Sequence, residues 1–98
     1  MLMVEIRKTE LFAKWLDDLR DIQAKARVLV RIERLASGNP GDVKPVGAGV
    51  CEMRVDYGPG YRVYFIQRGS ELIILLAGCD KGSQSRDIKA AIRLAQKL

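Results

Sequence analysis

The sequence predicts an α+β domain, with helices packed on a small, mostly antiparallel sheet. Three observations carry this. Residues 52–66 alternate between apolar and polar around Gly58-Pro59-Gly60, the pattern of a β-hairpin. Residues 72–78 are an almost continuous apolar run, as expected of a central strand covered on both faces. Three further stretches place their apolar residues at helical spacing. At 98 residues, 48% of them hydrophobic, the chain suits one domain over 1–98 with one real core.

Residues 3–8 alternate well enough for a first strand, with Val4 and Ile6 on one face. Thr9 is positioned to cap a helix over 10–20, whose Phe12, Trp15, Leu16 and Leu19 recur at helical spacing. Trp15 reads as core on that stripe, the alternative being a ligand platform. Asp21 caps a second helix over 22–37, and Gly38 supplies its left-handed stop. The expected inner side of this helix is Ile22, Leu29, Ile32 and Ala36. Arg27, Arg31 and Arg34 form a row on another side, read either as a solvated face or as a contact for RNA or an acidic partner. Residues 39–49 form a Gly- and Pro-rich loop in which 43–46 can add a short edge segment, since Pro45 has no N–H for a ladder. The hairpin and the apolar strand follow, then a turn over 80–83. Ser83 or Ser85 caps a last helix with Ile88, Ala91, Ile92 and Ala95 on one stripe. The order is β-α-α-β-β-β-α.

The hairpin holds the chemistry. One face carries Met53, Val55, Tyr61, Val63 and Phe65; the other carries Glu52, Arg54, Asp56, Arg62 and Tyr64. A turn on Tyr57-Gly58-Pro59 sets Arg54 opposite Arg62. A turn on Gly58-Pro59-Gly60 sets Asp56 opposite Arg62 in an ordinary surface ion pair. Both registers keep the same faces, so the apolar pattern does not choose. Like charges directly opposite cost up to about 1 kcal/mol. An arginine pair on a rigid sheet suits phosphate recognition, because each guanidinium fork matches two phosphate oxygens.

Composition narrows the classes. The net charge is +5, from 17 Lys and Arg against 12 Asp and Glu, which favours an anionic partner. Cys51 and Cys79 lie apart in apolar runs and read as small buried hydrophobes. With no histidine and no cysteine cluster, no metal site or cofactor is expected. The first eight residues are too short and too charged for a signal peptide, and the longest apolar run is too short for a bilayer. A cytoplasmic location without membrane contact is the expectation.

The element order and three motifs resemble the RelE/ParE superfamily of type II toxin–antitoxin toxins, and within it the HigB-like group of addiction-module killer proteins. The motifs are Glu52-Met53-Arg54-Val55-Asp56-Tyr57-Gly58-Pro59-Gly60-Tyr61-Arg62-Val63-Tyr64-Phe65, then Leu75-Leu76-Ala77-Gly78-Cys79-Asp80-Lys81, then Ser83-Gln84 leading to Asp87-Ile88. The resemblance implies a ribosome-dependent endoribonuclease that cuts messenger RNA in the decoding site and so inhibits translation. It implies catalytic roles for Arg62, Arg54 and Lys81, with Glu52, Tyr64, Asp80 and Gln84 binding RNA or supporting them. It implies as partners the ribosome, its message and a helix-turn-helix antitoxin encoded by the adjacent gene.

One departure bears on mechanism. Several RelE-like toxins carry a tyrosine or histidine in the last helix or tail, where this chain has Ile88. Acid–base work therefore falls to Lys81, Glu52, Asp80, a tyrosine or an RNA group. Tyr64 has two readings, stacking on a base or packing beneath a helix. Two other functions fit the same features: a ParE-like gyrase inhibitor without catalysis, and a non-catalytic basic interaction domain. The nuclease reading requires the two guanidinium groups to share an open surface; diverging side chains, or carboxylates locking each away from such a surface, would remove its footing.

Overall fold

The computed structural model describes residues 4–80 and 84–98. Along the chain run β1 (Glu5–Lys8), α1 (Glu10–Asp17), α2 (Ile22–Ala36), β2 (Val43–Gly47), β3 (Val50–Val55), β4 (Tyr61–Arg68), β5 (Leu72–Asp80) and α3 (Gln84–Gln96). The loop segment around Pro45 is a full edge strand, so the sheet has one strand more than the expected order. The start of the first strand at Met3, the turn residues 81–83 and the expected Ser83 cap lie outside the described residues, as does the side chain of Ser85.

Local chemistry sets the helix ends. Thr9 Oγ1 accepts from the Phe12 N–H at 3.1 Å and donates to the Leu76 carbonyl at 2.7 Å, tying the start of α1 to the sheet. α1 ends at Asp17, short of the expected Arg20. The Asp21 carboxylate accepts from the Gln23 and Ala24 N–H groups and caps α2. Gly38, at φ 86°, ends α2, with Asn39 N–H bonded to Arg34 O and Gly38 N–H to Leu35 O. These paired bonds are a Schellman motif, which needs the left-handed conformation glycine adopts without steric cost.

The strand order is β1-β5-β4-β3-β2, with β1 parallel to β5 and every other pair antiparallel. β5 is thus an interior strand, as its apolar run predicted. In the β3–β4 hairpin Arg54 lies opposite Arg62 and Glu52 opposite Tyr64. The like-charge register is therefore the one adopted.

The sheet is covered on both faces. On one, Phe12, Leu16, Ala24, Val28, Ile32 and Leu35 of α1 and α2 pack on Met53, Val55, Tyr61, Val63, Phe65, Ile73 and Leu75. On the other, Ile88, Ala91, Ile92 and Ala95 of α3 pack around Val50, Tyr64, Ile66, Leu76, Ala77 and Cys79. A β-bulge between Tyr64 and Phe65 lets Leu76 and Ala77 both face α3.

The inner side of α2 differs from expectation. Ile22 is 82% exposed and Leu29 43%, while Ala24, Val28, Ile32, Leu35 and Ala36 are buried. α2 has apolar residues on several sides, so periodicity alone does not select one. Trp15 is core: its indole covers Gly78 and meets Tyr61 edge-on at 6.3 Å. Cys79 is buried as expected, whereas Cys51 is partly exposed.

Candidate functional site

β3 and β4 present Arg54 and Arg62 side by side on the face that α3 covers elsewhere. Both line one open pocket of about 390 Å³, walled by Asp42, Asp56 and the turn Gly58-Pro59-Gly60. The turn is closed by the Gly60 N–H bonding to the Tyr57 carbonyl at 3.0 Å. Gly58 and Gly60 hold φ of 59° and 87°, values a β-carbon disfavours.

The like-charge cost is relieved by giving each arginine its own carboxylate. Arg54 pairs with Asp42 through two prongs, Nε to Oδ2 at 3.2 Å and Nη2 to Oδ1 at 3.4 Å. This pair is about half exposed on both sides, at 48% and 55%. Arg62 pairs with Glu52, its Nε 3.5 Å from Oε1, and its side chain is only 14% exposed. Glu52 is fully buried. The Tyr64 hydroxyl donates to its Oε2 at 3.1 Å, and Lys44 Nζ stands 3.9 Å from its Oε1. Both arginines have carboxylate partners, yet both remain on an open, shared wall.

Tyr64 does not stack on a base: it is wholly buried beneath α3, and its hydroxyl anchors Glu52. Burial, the Cys79 thiol donating to its oxygen at 3.7 Å and the nearby Glu52 charge push its pKa up. The Cys79 thiol is itself pushed up to about 12, chiefly by burial and by the Asp87 carboxylate, against the lowering effects of Tyr64 and Arg62.

Asp80 is not brought to the pocket. It pairs with Tyr61 in the ladder, one position beyond the Arg62–Cys79 pair, and strand alternation turns it toward the opposite face. Gln84 opens α3, and its side chain, like Lys81, lies outside the described residues.

Two residues were missed from the sequence. Asp42 pairs with Arg54, and Lys44 stands beside Glu52. Arg31, part of the α2 row, donates Nη1 to Arg54 O at 2.6 Å and Nη2 to Pro40 O at 3.1 Å, pinning the Asp42 loop to β3. The signal was present: pairing residues 43–46 with β3 around Gly47-Ala48-Gly49 puts Asp42 across from Arg54. The rest of the row is mixed, with the Arg27 guanidinium 4.8 Å from the centre of the Tyr57 ring.

The architecture and site together define a small α+β domain whose sheet offers a pocket lined by two arginines and two aspartates beside a tight glycine turn. A family model for phage-derived Gp49-like proteins (DUF891) matches residues 14–98, and the chain belongs to that family, which is tied to RelE-like toxins of toxin–antitoxin systems. The chain is also 47% identical over 95 residues to an uncharacterized protein of Haemophilus influenzae, covering 97% of this chain and 96% of that one. Among the described residues, no helix is long and apolar enough to cross a membrane.

Proposed function

We propose that this protein is the toxin of a type II toxin–antitoxin module of the HigB-like kind, an endoribonuclease that cuts ribosome-bound messenger RNA in the cytoplasm. The observation that carries this reading is the placement of Arg54 and Arg62 opposite each other on the wall of one open pocket. In such a cleavage the 2′-oxygen attacks phosphorus, a 2′-O–P bond forms and the P–O5′ bond breaks. The 2′-proton passes to a base, and the departing 5′-oxygen gains one. The extra negative charge on the phosphoryl oxygens is what a pair of fixed guanidinium groups stabilises. Lys81 is the proposed proton donor or charge partner at the leaving oxygen. Glu52 is buried behind Arg62, which suits it to hold that guanidinium rather than to meet RNA. A helix-turn-helix antitoxin from the adjacent gene is the proposed partner.

Induced expression tests this. The wild type should arrest growth and produce messenger ends at discrete codon positions. Arg62→Lys keeps a charge beside Glu52 but loses the fork, and should abolish both effects in a folded protein. DNA breaks and an SOS response without messenger cleavage would point instead to gyrase inhibition, and normal growth to a plain interaction domain.

A further inference from the structure

We propose that Asp42 is a built-in competitor for the pocket: its carboxylate occupies the Arg54 fork that a phosphodiester must take, and ligand entry displaces it. This deepens the proposed function and rests on it. The two-pronged contact, at 3.2 and 3.4 Å, uses the same two donor directions that an arginine offers two phosphate oxygens. Asp42 lines the pocket and is more than half exposed, so its carboxylate can swing into water without stranding a buried charge. Its backbone need not follow. The Arg54 N–H bonds to the Asp42 carbonyl at 3.0 Å, and Arg31 ties Pro40 and Arg54 together, so the loop stays put while the side chain leaves. An exposed pair of this kind is weak, which makes displacement easy for a strand phosphate. Arg62 differs: its carboxylate is fully buried and remains in place as a fixed backing.

A 2′-O-methyl RNA hexanucleotide, which resists cleavage, provides the probe, with binding followed by fluorescence anisotropy at low salt. Asp42→Asn should tighten binding about two- to fivefold. Asp56→Asn removes an equal charge from the same pocket wall, from a residue not paired with Arg54, and should tighten it less. In an Arg54→Ala background, Asp42→Asn should give no more than the small Asp56→Asn gain. Equal gains from the Asp42 and Asp56 changes, or an Asp42 gain that survives Arg54→Ala in full, would reduce Asp42 to a general charge and overturn the inference while leaving the proposed function standing. Binding that is lost on Arg54→Ala but unchanged by Asp42→Asn overturns it in the same way. No binding by any variant overturns the inference, whereas the proposed function falls only if ribosome-bound message is not cut.

Discussion

Glu52 is the residue on which the site turns. A fully buried carboxylate is tolerated only where cations and donors surround it, and here Arg62, Lys44 and the Tyr64 hydroxyl do so. Removing one side of a buried pair leaves the other uncompensated, a loss of about 3–5 kcal/mol. Glu52→Ala should therefore lower unfolding free energy by about 3 kcal/mol in urea titration, and a loss below about 1 kcal/mol would show that the pair carries little. Arg62→Ala disturbs the same buried charge, so Arg62→Lys is the cleaner probe of chemistry. Cys79 and Tyr64 yield a pH prediction. Their ordinary values are 9.0 and 10.0, and both are raised in the fold. The unfolded chain thus loses these protons first, and stability present below pH 9 declines above it. Each group contributes a slope of up to about 1.4 kcal/mol per pH unit. Melting temperature should fall steadily from pH 9 to 11, and Cys79→Ala should flatten the early part of that fall.

At the scale of elements, what the sequence reveals is what is local. Thr9, Asp21 and Gly38 announce their caps because each acts on backbone within four residues of itself. The hairpin faces are equally legible, since alternation fixes them. The hairpin register is not: both turns keep the same apolar face, and in the register adopted the arginines are paired by Asp42, from outside the hairpin, and by the buried Glu52 within it. The inward side of α2 is lost for a related reason. Ile22 and Leu29 are as apolar as Val28 and Ile32, and only the sheet beneath selects among them. Gly78 shows how closely elements meet. A β-carbon there would stand 2.2 Å from Trp15 Cε3, so Gly78→Ala must push α1 off β5. A cost of about 1–3 kcal/mol is expected. Trp15→Leu in that background should recover part of it, and strictly additive losses in the double mutant would argue against direct contact.

At the scale of the whole molecule, the proposed function assigns two tasks: the net charge of +5 would draw the protein toward nucleic acid, and the pocket would decide where a phosphate is held. The salt dependence separates these contributions. For single-stranded RNA each neutralised phosphate adds about 0.7 to the slope of log affinity against log salt. Arg54→Ala should shallow that slope by about this amount, and an unchanged slope would mean that Arg54 touches no phosphate. The central claim is that paired guanidinium groups on β3 and β4 stabilise the transition state of phosphodiester cleavage. The most direct measurement is the single-turnover rate on a ribosome-bound message for wild type, Arg54→Ala and Arg62→Lys, each shown folded by its melting curve. The account predicts losses of about a hundred- to a thousand-fold for Arg62→Lys, a smaller loss for Arg54→Ala, and no cutting of free message. Folded Arg62→Lys protein that cuts at the wild-type rate would contradict it.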